Sequence, residues 1–172
     1  MTFSLRPLTW ADLRRANPID VSERGDIVLA WVDGALIAEP HEWERPRWDP
    51  DLWEQRLAGW WLMLKPDAMV GALAGDELVG LASMRYRLQP DMAQLTTLHV
   101  SQAYRRQGVA TQLVAEVMRM ARASGACRLY VSAVPTESAV GFYASRGFRP
   151  TSEPDPDMLA MEPEEIHMIC EL

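Results

Sequence analysis

The hydrophobic pattern changes period twice between residues 93 and 134, and this change restricts the fold more than any other feature of the sequence. Residues 93–100 have the Leu, Thr and Val content of a strand. Apolar residues then recur at helical spacing from about Gly108 to Ser124. Residues 128–134 alternate and are rich in β-forming residues. Because a strand, a helix and a strand in this order form a right-handed crossover, the two strands should lie parallel in one sheet.

The segments around this unit predict further strands. Residues 69–74 and 77–86 are apolar and are separated by Gly75-Asp76, a turn dipeptide that suits a hairpin. Together with residues 93–100 they predict three successive antiparallel strands. Residues 3–8 and 166–172 predict a first and a last strand. The sequence therefore predicts an α/β (α+β) fold with a mixed, mostly antiparallel central sheet of about six to seven strands, flanked by helices.

Residues 18–65 are rich in tryptophan and harder to assign. Residues 53–64 have a helical pattern, whereas residues 27–38 fit either a helix or a hairpin that turns at Asp33-Gly34. The large rings could form a pocket for a small ligand or a cation, or they could fill the core between helices. The six residues concerned are Trp31, Trp43, Trp48, Trp53, Trp60 and Trp61.

Segment 105–110, Arg-Arg-Gln-Gly-Val-Ala, lies between the first parallel strand and the helix. The free N–H groups and the dipole at a helix N-terminus can hold a phosphate, and Gly108 would let a diphosphate approach the backbone closely. The pattern is weak alone, because an ordinary tight turn also needs glycine for its backbone angles. The segment lacks both a Walker-type sequence and a three-glycine dinucleotide fingerprint.

A second motif follows the second parallel strand. Residues 138–146 predict a short helix that Gly147 ends, and residues 139–148 read Ala-Val-Gly-Phe-Tyr-Ala-Ser-Arg-Gly-Phe. With the segment at 105–110 before this motif, the chain resembles the GNAT superfamily of N-acyltransferases over residues 69–150. The resemblance implies one domain over 1–172, with a cofactor-binding core at 69–150 and a Trp-rich, helical, acceptor-side elaboration at 18–65.

The resemblance also implies where acetyl-CoA binds. In this family the two parallel strands splay apart, and the cofactor lies in the opening. The backbone of Leu98 and Val100 would pair with the pantetheine arm, and the N–H groups from Arg106 to Thr111 would hold the diphosphate. The residues that the resemblance implies for cofactor binding are Leu98, His99, Val100, Arg105, Arg106, Gln107, Gly108, Val109, Ala110, Thr111, Thr136 and Phe142.

Tyr143 matches the family tyrosine whose hydroxyl protonates the departing CoA thiolate. A phenol suits this role because its pKa lies close to that of a thiol. The alternative is a half-buried aromatic residue on an amphipathic helix. Thr136 stands where the second family motif often begins with Asn, so one polar contact near the cofactor arm should differ.

The sequence does not identify the general base, because Gln94 stands where many family members carry a catalytic Glu. An ammonium with a pKa near about 10.4 must still lose a proton before it can attack a thioester. The candidates are Asp91, His99, Glu42 and Glu44. Strand alternation places His99 on the opposite sheet face from Gln94 and Leu98, which favours packing or hydrogen bonding over catalysis.

The resemblance therefore implies an N-acetyltransferase that moves acetyl from acetyl-CoA to a primary amine of a small molecule, by direct attack in a ternary complex. A longer acyl donor, a protein amine as acceptor, and an acyl-CoA-binding regulatory domain without turnover remain alternatives. Gln94 favours the regulatory domain, whereas Tyr143 favours an enzyme.

Composition and charge limit the partners and the location. A formal net charge of −7 argues against nucleic acid and anionic membranes as partners and favours cationic ones. No apolar run reaches about 18 residues and no signal-like start is present, so we expect a cytoplasmic protein. Cys127 and Cys170 lack metal-ligand spacing, so we expect buried free thiols and no metal site. Relatives pair through their terminal strands, which leaves a homodimer open.

Overall fold

The computed structural model describes residues 3–15 and 19–172, and only the backbone of residue 15. The elements follow one another along the chain in this order: β1 (Ser4–Pro7), α1 (Trp10–Arg15), β2 (Glu23–Val32), β3 (Ala35–Arg45), α2 (Pro50–Leu64), β4 (Ala68–Ala74), β5 (Glu77–Gln89), β6 (Met92–Val100), a 3₁₀ turn (Gln102–Tyr104), α3 (Val109–Ala123), β7 (Arg128–Ala133), α4 (Glu137–Ser145), β8 (Arg149–Pro150), α5 (Pro156–Met161) and β9 (Ile166–Glu171).

Within the described residues, seven strands form the central sheet in the order β1-β4-β5-β6-β7-β9-β8. Neighbouring strands are antiparallel except for β6 and β7, which are parallel. Helix α3 packs against β4, β5 and β6 through apolar side chains that recur at helical spacing. The predicted mixed sheet with flanking helices is confirmed.

The parallel strands β6 and β7 are paired at one end only. Their register runs from Met92 opposite Arg128 to Gln94 opposite Tyr130 and then stops. The paired end is held by Asp91, whose carboxylate accepts from the Arg128 guanidinium at 2.9 Å and whose carbonyl accepts from the Cys127 N–H at 2.8 Å. Beyond Gln94 the two strands separate, which confirms the predicted splayed pair and opens the middle of the sheet.

Strand β6 contains a bulge that reverses its alternation. Met84 of β5 lies opposite Leu95, but the next residue, Ser83, lies opposite Thr97, so Thr96 is the extra residue. Gln94 pairs with Arg85, and His99 pairs with Leu81, two residues of β5 that share one sheet face. The prediction that His99 faces away from Gln94 is therefore wrong, although His99 and Leu98 do lie on opposite faces.

The Trp-rich region is a hairpin followed by one helix. Strands β2 and β3 turn at Asp33-Gly34, where both residues have positive φ, so the hairpin alternative for residues 27–38 is the one found. Helix α2 begins after Asp49, whose carboxylate accepts from the Leu52 N–H at 2.8 Å. The expected helical character of 18–65 is thus limited to residues 50–64, and residue 18 lies outside the described residues.

Several short elements were not predicted. Helix α1, strand β8 and helix α5 have six, two and six residues, too few for a hydrophobic period to show.

The cysteine prediction is half wrong, because Cys170 is a buried free thiol whereas Cys127 is exposed and precedes β7. Among the helices of the described residues, none is both long and apolar enough to cross a bilayer.

Candidate active site

A cleft of about 900 Å³ occupies the opening between β6 and β7. Both strands line it, and the N-terminus of α3, helix α4, the β2–β3 hairpin, helix α2 and the segment before β9 complete its walls. The hairpin is fixed at this place because the Leu29 N–H donates to the Pro135 carbonyl at 2.8 Å and the Ser138 hydroxyl donates to Glu23 at 2.6 Å. The splayed strands thus form a large covered groove.

One end of the cleft is the N-terminus of α3. Gly108 begins this helix with φ of 87°, and no side chain caps the helix there. A Cβ built on Gly108 would meet nothing within 4 Å. Helix geometry leaves the N–H groups of Val109, Ala110 and Thr111 without intrahelical partners. Open space in front of free N–H groups and a positive helix end fits a diphosphate.

The three residues before Gly108 differ in what their side chains do. The Arg105 guanidinium donates to the carbonyls of Val100 at 3.2 Å and Ser22 at 3.0 Å, so it braces the loop against β6 and the start of β2. Arg106 has φ of 62° and lines the cleft. Gln107 turns back to donate to the Ala103 carbonyl at 2.9 Å and does not line the cleft.

The predicted strand and helix residues mostly meet at this cleft. Leu98, His99 and Val100 line it, and in the described residues this part of β6 has a strand partner only on its β5 side. Phe142 also lines it. Thr136 does not, because its hydroxyl accepts from the Ala139 N–H and caps α4, with only 4% of the residue exposed. The difference from Asn at this position therefore concerns the helix cap.

Tyr143 lies where α4 faces the cleft. Its ring packs edge-on against Phe142 and Phe148 in the main core, and the residue is 7% exposed. It is thus a core aromatic and a cleft residue at once. Burial raises the pKa of the hydroxyl well above its ordinary value, and the nearby Glu165 charge raises it further. The phenol is therefore protonated at neutral pH and able to donate.

His99 is enclosed by aromatic rings. It stacks on Trp60 with 4.7 Å between ring centroids and meets the edge of Trp48 at 5.8 Å. Burial lowers its pKa to about 3, and the charges of Arg45 and Arg105 act in the same direction. A neutral imidazole of such low basicity is a weak proton acceptor at pH 7.

The other residues considered as bases lie mostly elsewhere. Gln94 is 1% exposed and does not line the cleft, and its Nε2 lies 3.0 Å from the Met158 sulfur. Asp91 pairs with Arg128 at the closed end of the strand pair. Glu42 does not line the cleft, whereas Glu44 is an exposed residue of its wall.

The structure adds an acidic pair that the sequence prediction missed. Glu162 and Glu165 line the cleft just before β9. Burial and the neighbouring Glu162 together raise the pKa of Glu165 to about 7 against the opposing charge of Arg45. Its Oε2 is buried without a hydrogen-bond partner in the part of the chain that the structure describes. The acidic run at 162–165 before the last strand was the available signal.

Some of the six tryptophans line the pocket and others support the core, which are the two roles that the sequence suggested. Trp48 and Trp60 line the cleft, as a pocket requires. The other four support the fold: Trp31 packs on the main core, Trp43 donates to the Ile27 carbonyl at 3.0 Å, Trp53 is buried beside Trp48, and Trp61 packs on Trp10.

A sheet that opens between two parallel strands, with a helix N-terminus at one end of the gap and a protonated tyrosine in its wall, defines the class of acyl-CoA-dependent acyltransferases. The sequence pattern described as "Acetyltransferase (GNAT) family" matches residues 24–148. The chain belongs to this family. It is an acyl-CoA-dependent N-acyltransferase, and acetyl-CoA is its cosubstrate.

Solved structures with the same fold include two antibiotic acetyltransferases. A Bacillus anthracis protein with a provisional assignment as a streptothricin acetyltransferase, solved with acetyl coenzyme A, has 17% identity and a TM-score of 0.77, with 100% of this chain and 99% of that chain covered. A nourseothricin acetyltransferase has 19% identity and a TM-score of 0.74, with 99% of each chain covered.

The ribosomal-protein-S18-alanine N-acetyltransferase of Escherichia coli is also similar. It has 16% identity and a TM-score of 0.63, with 99% of this chain and 94% of that chain covered. Among the curated proteins, none matches the sequence. At these identities the similarity shows the fold alone.

Proposed function

We propose that the protein transfers an acetyl group from acetyl-CoA to a primary amine of a small cationic molecule, by direct attack within a ternary complex. The N–H groups from Gly108 to Thr111 would hold the diphosphate, and the free edge of Leu98 and Val100 would pair with the pantetheine arm. Acetyl-CoA supplies the activated thioester. Tyr143 holds the proton that the departing thiolate needs.

The observation that carries the proposal is the set of aromatic and acidic side chains in the cleft wall. Two tryptophans and four carboxylates line the cleft: Trp48, Trp60, Glu23, Glu44, Glu162 and Glu165. Of the arginines that line it, Arg45 pairs with Glu23 at 2.8 Å, and Arg56 lies over Trp48 at 5.6 Å. Indole rings and carboxylates both attract a cation, so this wall favours a positively charged acceptor.

The names of the structural neighbours suggest which amines to test. Two of them are named for streptothricin and nourseothricin, and a third is named for an alanine of ribosomal protein S18. A groove covered by the hairpin and α2 fits a small acceptor better than a protein terminus.

The experiment measures thiol release from acetyl-CoA over a panel of amines. The panel contains streptothricin, nourseothricin, spermidine and lysine, together with a peptide that begins with alanine. We expect turnover with at least one of the small amines and kcat/KM at least tenfold lower with the peptide. Turnover of the peptide alone would show a protein amine as the acceptor, and absence of turnover with every amine would overturn the proposal.

A further inference from the structure

Glu165 is a cleft carboxylate whose Oε2 has no hydrogen-bond partner among the described residues. Its Oε2 is buried with no hydrogen bond from the described residues, although the side chain faces the cleft that holds Tyr143. A buried acceptor oxygen is normally satisfied, so one left free in a cleft is available to a ligand. We propose that Glu165 is the general base that takes a proton from the acceptor ammonium. This inference rests on the proposed function.

The position of Glu165 follows from the sheet register. Strand β9 pairs with β7 so that Ile166 lies opposite Ala133, the last residue of β7. Glu165 therefore lies beside Val134, at the end of β7 that has separated from β6, and Val134 lines the cleft as well. Tyr143 lies close enough for the charge of Glu165 to raise the pKa of its hydroxyl. The register thus places a proton acceptor and a proton donor in one cleft.

The surroundings of Glu165 keep its basicity in the useful range. Glu162 and Glu164 are its acidic neighbours along the chain, Arg45 is the cation that faces it from β3, and Tyr143 faces it from α4. Burial and the two acidic neighbours outweigh Arg45, so the pKa rises from the ordinary value of 4.5 to about 7. A general base works best when its pKa lies near the operating pH.

The other groups of the cleft are less suited to this task. Glu23 accepts from Arg45 and from Ser138, which occupy its oxygens. Glu44 lines the cleft but is exposed to solvent. His99 has a pKa of about 3 and is enclosed by Trp48 and Trp60. Among the described carboxylates of the cleft, Glu165 is the one with a buried oxygen that no hydrogen bond engages.

The proton balance of the reaction shows what Glu165 must do. An ammonium acceptor loses two protons when it becomes an amide. Glu165 accepts the first and exposes the nitrogen lone pair, which then forms the N–C bond as the C–S bond breaks. Tyr143 gives its proton to the thiolate and recovers one from the nitrogen, while Glu165 releases its proton to water. The products are the amide, coenzyme A thiol and one free proton.

The test compares Glu165→Gln with Glu164→Gln in the full chain, using whichever small amine of the panel gives the highest turnover. Glu164 is exposed and does not line the cleft, so the same chemical change one residue away is the matched control. We expect Glu165→Gln to lower kcat by about 10²-fold or more with unchanged acetyl-CoA affinity in calorimetry. The rise of kcat/KM through about pH 7 should disappear in this variant and persist in Glu164→Gln.

Other outcomes separate the inference from the proposed function. If the unmodified protein turns the amine over and Glu165→Gln keeps kcat but raises KM, Glu165 only binds the acceptor and the inference is wrong. If Glu165→Gln loses acetyl-CoA binding, Glu165→Asp decides, because it keeps the carboxylate and should retain the pH-dependent rise. Absence of turnover in the unmodified protein overturns the proposed function, and the inference with it.

Discussion

Tyr143 and Glu165 show at the scale of single residues how one cleft sets the proton state of two groups. Burial acts on both and raises both pKa values, so that the phenol keeps its proton while the carboxyl titrates near neutrality. The neutral phenol suits a donor, and a carboxylate of raised pKa suits an acceptor. Groups whose pKa values are separated by their surroundings are the usual basis of acid–base assignments.

Replacing Tyr143 by Phe removes the hydroxyl and keeps the ring that packs on Phe142 and Phe148. We expect kcat to fall by about 10²- to 10⁴-fold in steady-state kinetics, because the thiolate loses its proton donor. Acetyl-CoA affinity, measured by calorimetry, should stay within about twofold. The control is Tyr86→Phe, since Tyr86 is 37% exposed on β5 and lies outside the cleft. A full-rate Tyr143→Phe enzyme would assign the tyrosine to the core only.

Glu165 should make the folded protein less stable as pH rises. Its folded-state pKa of about 7 exceeds the ordinary 4.5, so the folded state binds the proton more tightly. Below pH 4.5 the Glu165 carboxyl is protonated in both the folded and the unfolded state, so it does not lower the free energy of unfolding. Between pH 4.5 and 7 the free energy of unfolding falls, and above pH 7 the loss reaches its full size of at most ~3 kcal/mol.

Glu165→Gln removes this loss, so its melting temperature should exceed that of the unmodified protein by several degrees above pH 7. The difference should shrink towards zero below pH 4.5. Thermal unfolding followed by circular dichroism from pH 4 to pH 8.5 measures it, with Glu164→Gln as the control. A difference that does not change with pH would mean that the Glu165 carboxyl is not desolvated in the folded state.

The sequence predicted only one of the two residues that we assign to proton transfer. The motif at 139–148 directed attention to Tyr143, which the structure brings into the cleft. Glu165 carries no motif, and it reaches the cleft only because β9 returns beside β7. Its pKa is raised chiefly by burial and is opposed by Arg45, a residue 120 positions earlier in the chain. Such long-range contacts have no local signature.

At the scale of elements, α3 offers two glycines for a matched comparison. Gly108 begins the helix with φ of 87°, and Gly125 follows its end with φ of 88°; an added Cβ meets nothing within 4 Å at either position. Replacing either by Ala should cost a similar ~1 kcal/mol of stability, because both replacements force a side chain into the left-handed region. Gly108 faces the cleft, whereas Gly125 does not line it.

We therefore expect Gly108→Glu to weaken acetyl-CoA binding at least about tenfold in calorimetry, because a carboxylate would meet the diphosphate at the helix N-terminus. Gly108→Ala should weaken binding less, and Gly125→Ala should leave the affinity unchanged at a similar loss of stability. Equal affinities in Gly108→Glu and Gly125→Ala would place the diphosphate elsewhere.

The elements also show why the ends of helices and strands were easier to predict than the sheet face on which a strand residue lies. The period change placed α3 within one residue of Val109–Ala123, since helix and strand periods differ clearly over such lengths. The face of His99 was predicted wrongly, because one extra residue at Thr96 reverses the alternation. A bulge leaves no mark in a run of Leu and Thr. Residues 27–38 fit either a helix or a hairpin by sequence, and the pairing of β2 with β3 shows the hairpin.

At the scale of the whole molecule, the split in the sheet is the feature that both the fold and the proposed function depend on. The strand order places β1, β4, β5 and β6 on one side and β7, β9 and β8 on the other. The two motifs at 105–110 and 139–148 lie on opposite sides of this gap. Their order along the sequence, with a crossover between them, made the sheet class and the cofactor predictable, while the covering hairpin and the return of β9 depended on tertiary packing.

A ligand that fills the gap should stabilise the whole molecule, because in the described residues the strand pairing between the two halves of the sheet is limited to the register pairs from Met92–Arg128 to Gln94–Tyr130. At a concentration about 100 times its Kd, acetyl-CoA should add ~2.7 kcal/mol to the free energy of unfolding. For a chain of 172 residues this corresponds to roughly 5–10 °C in melting temperature. Hydrogen exchange should slow in β6 beyond Gln94 more than in β1. Gly125→Ala should keep the shift, and Gly108→Glu should lose about half of it or more at the same concentration. An equal shift in both variants would mean that the stabilisation does not arise from the helix N-terminus at the gap.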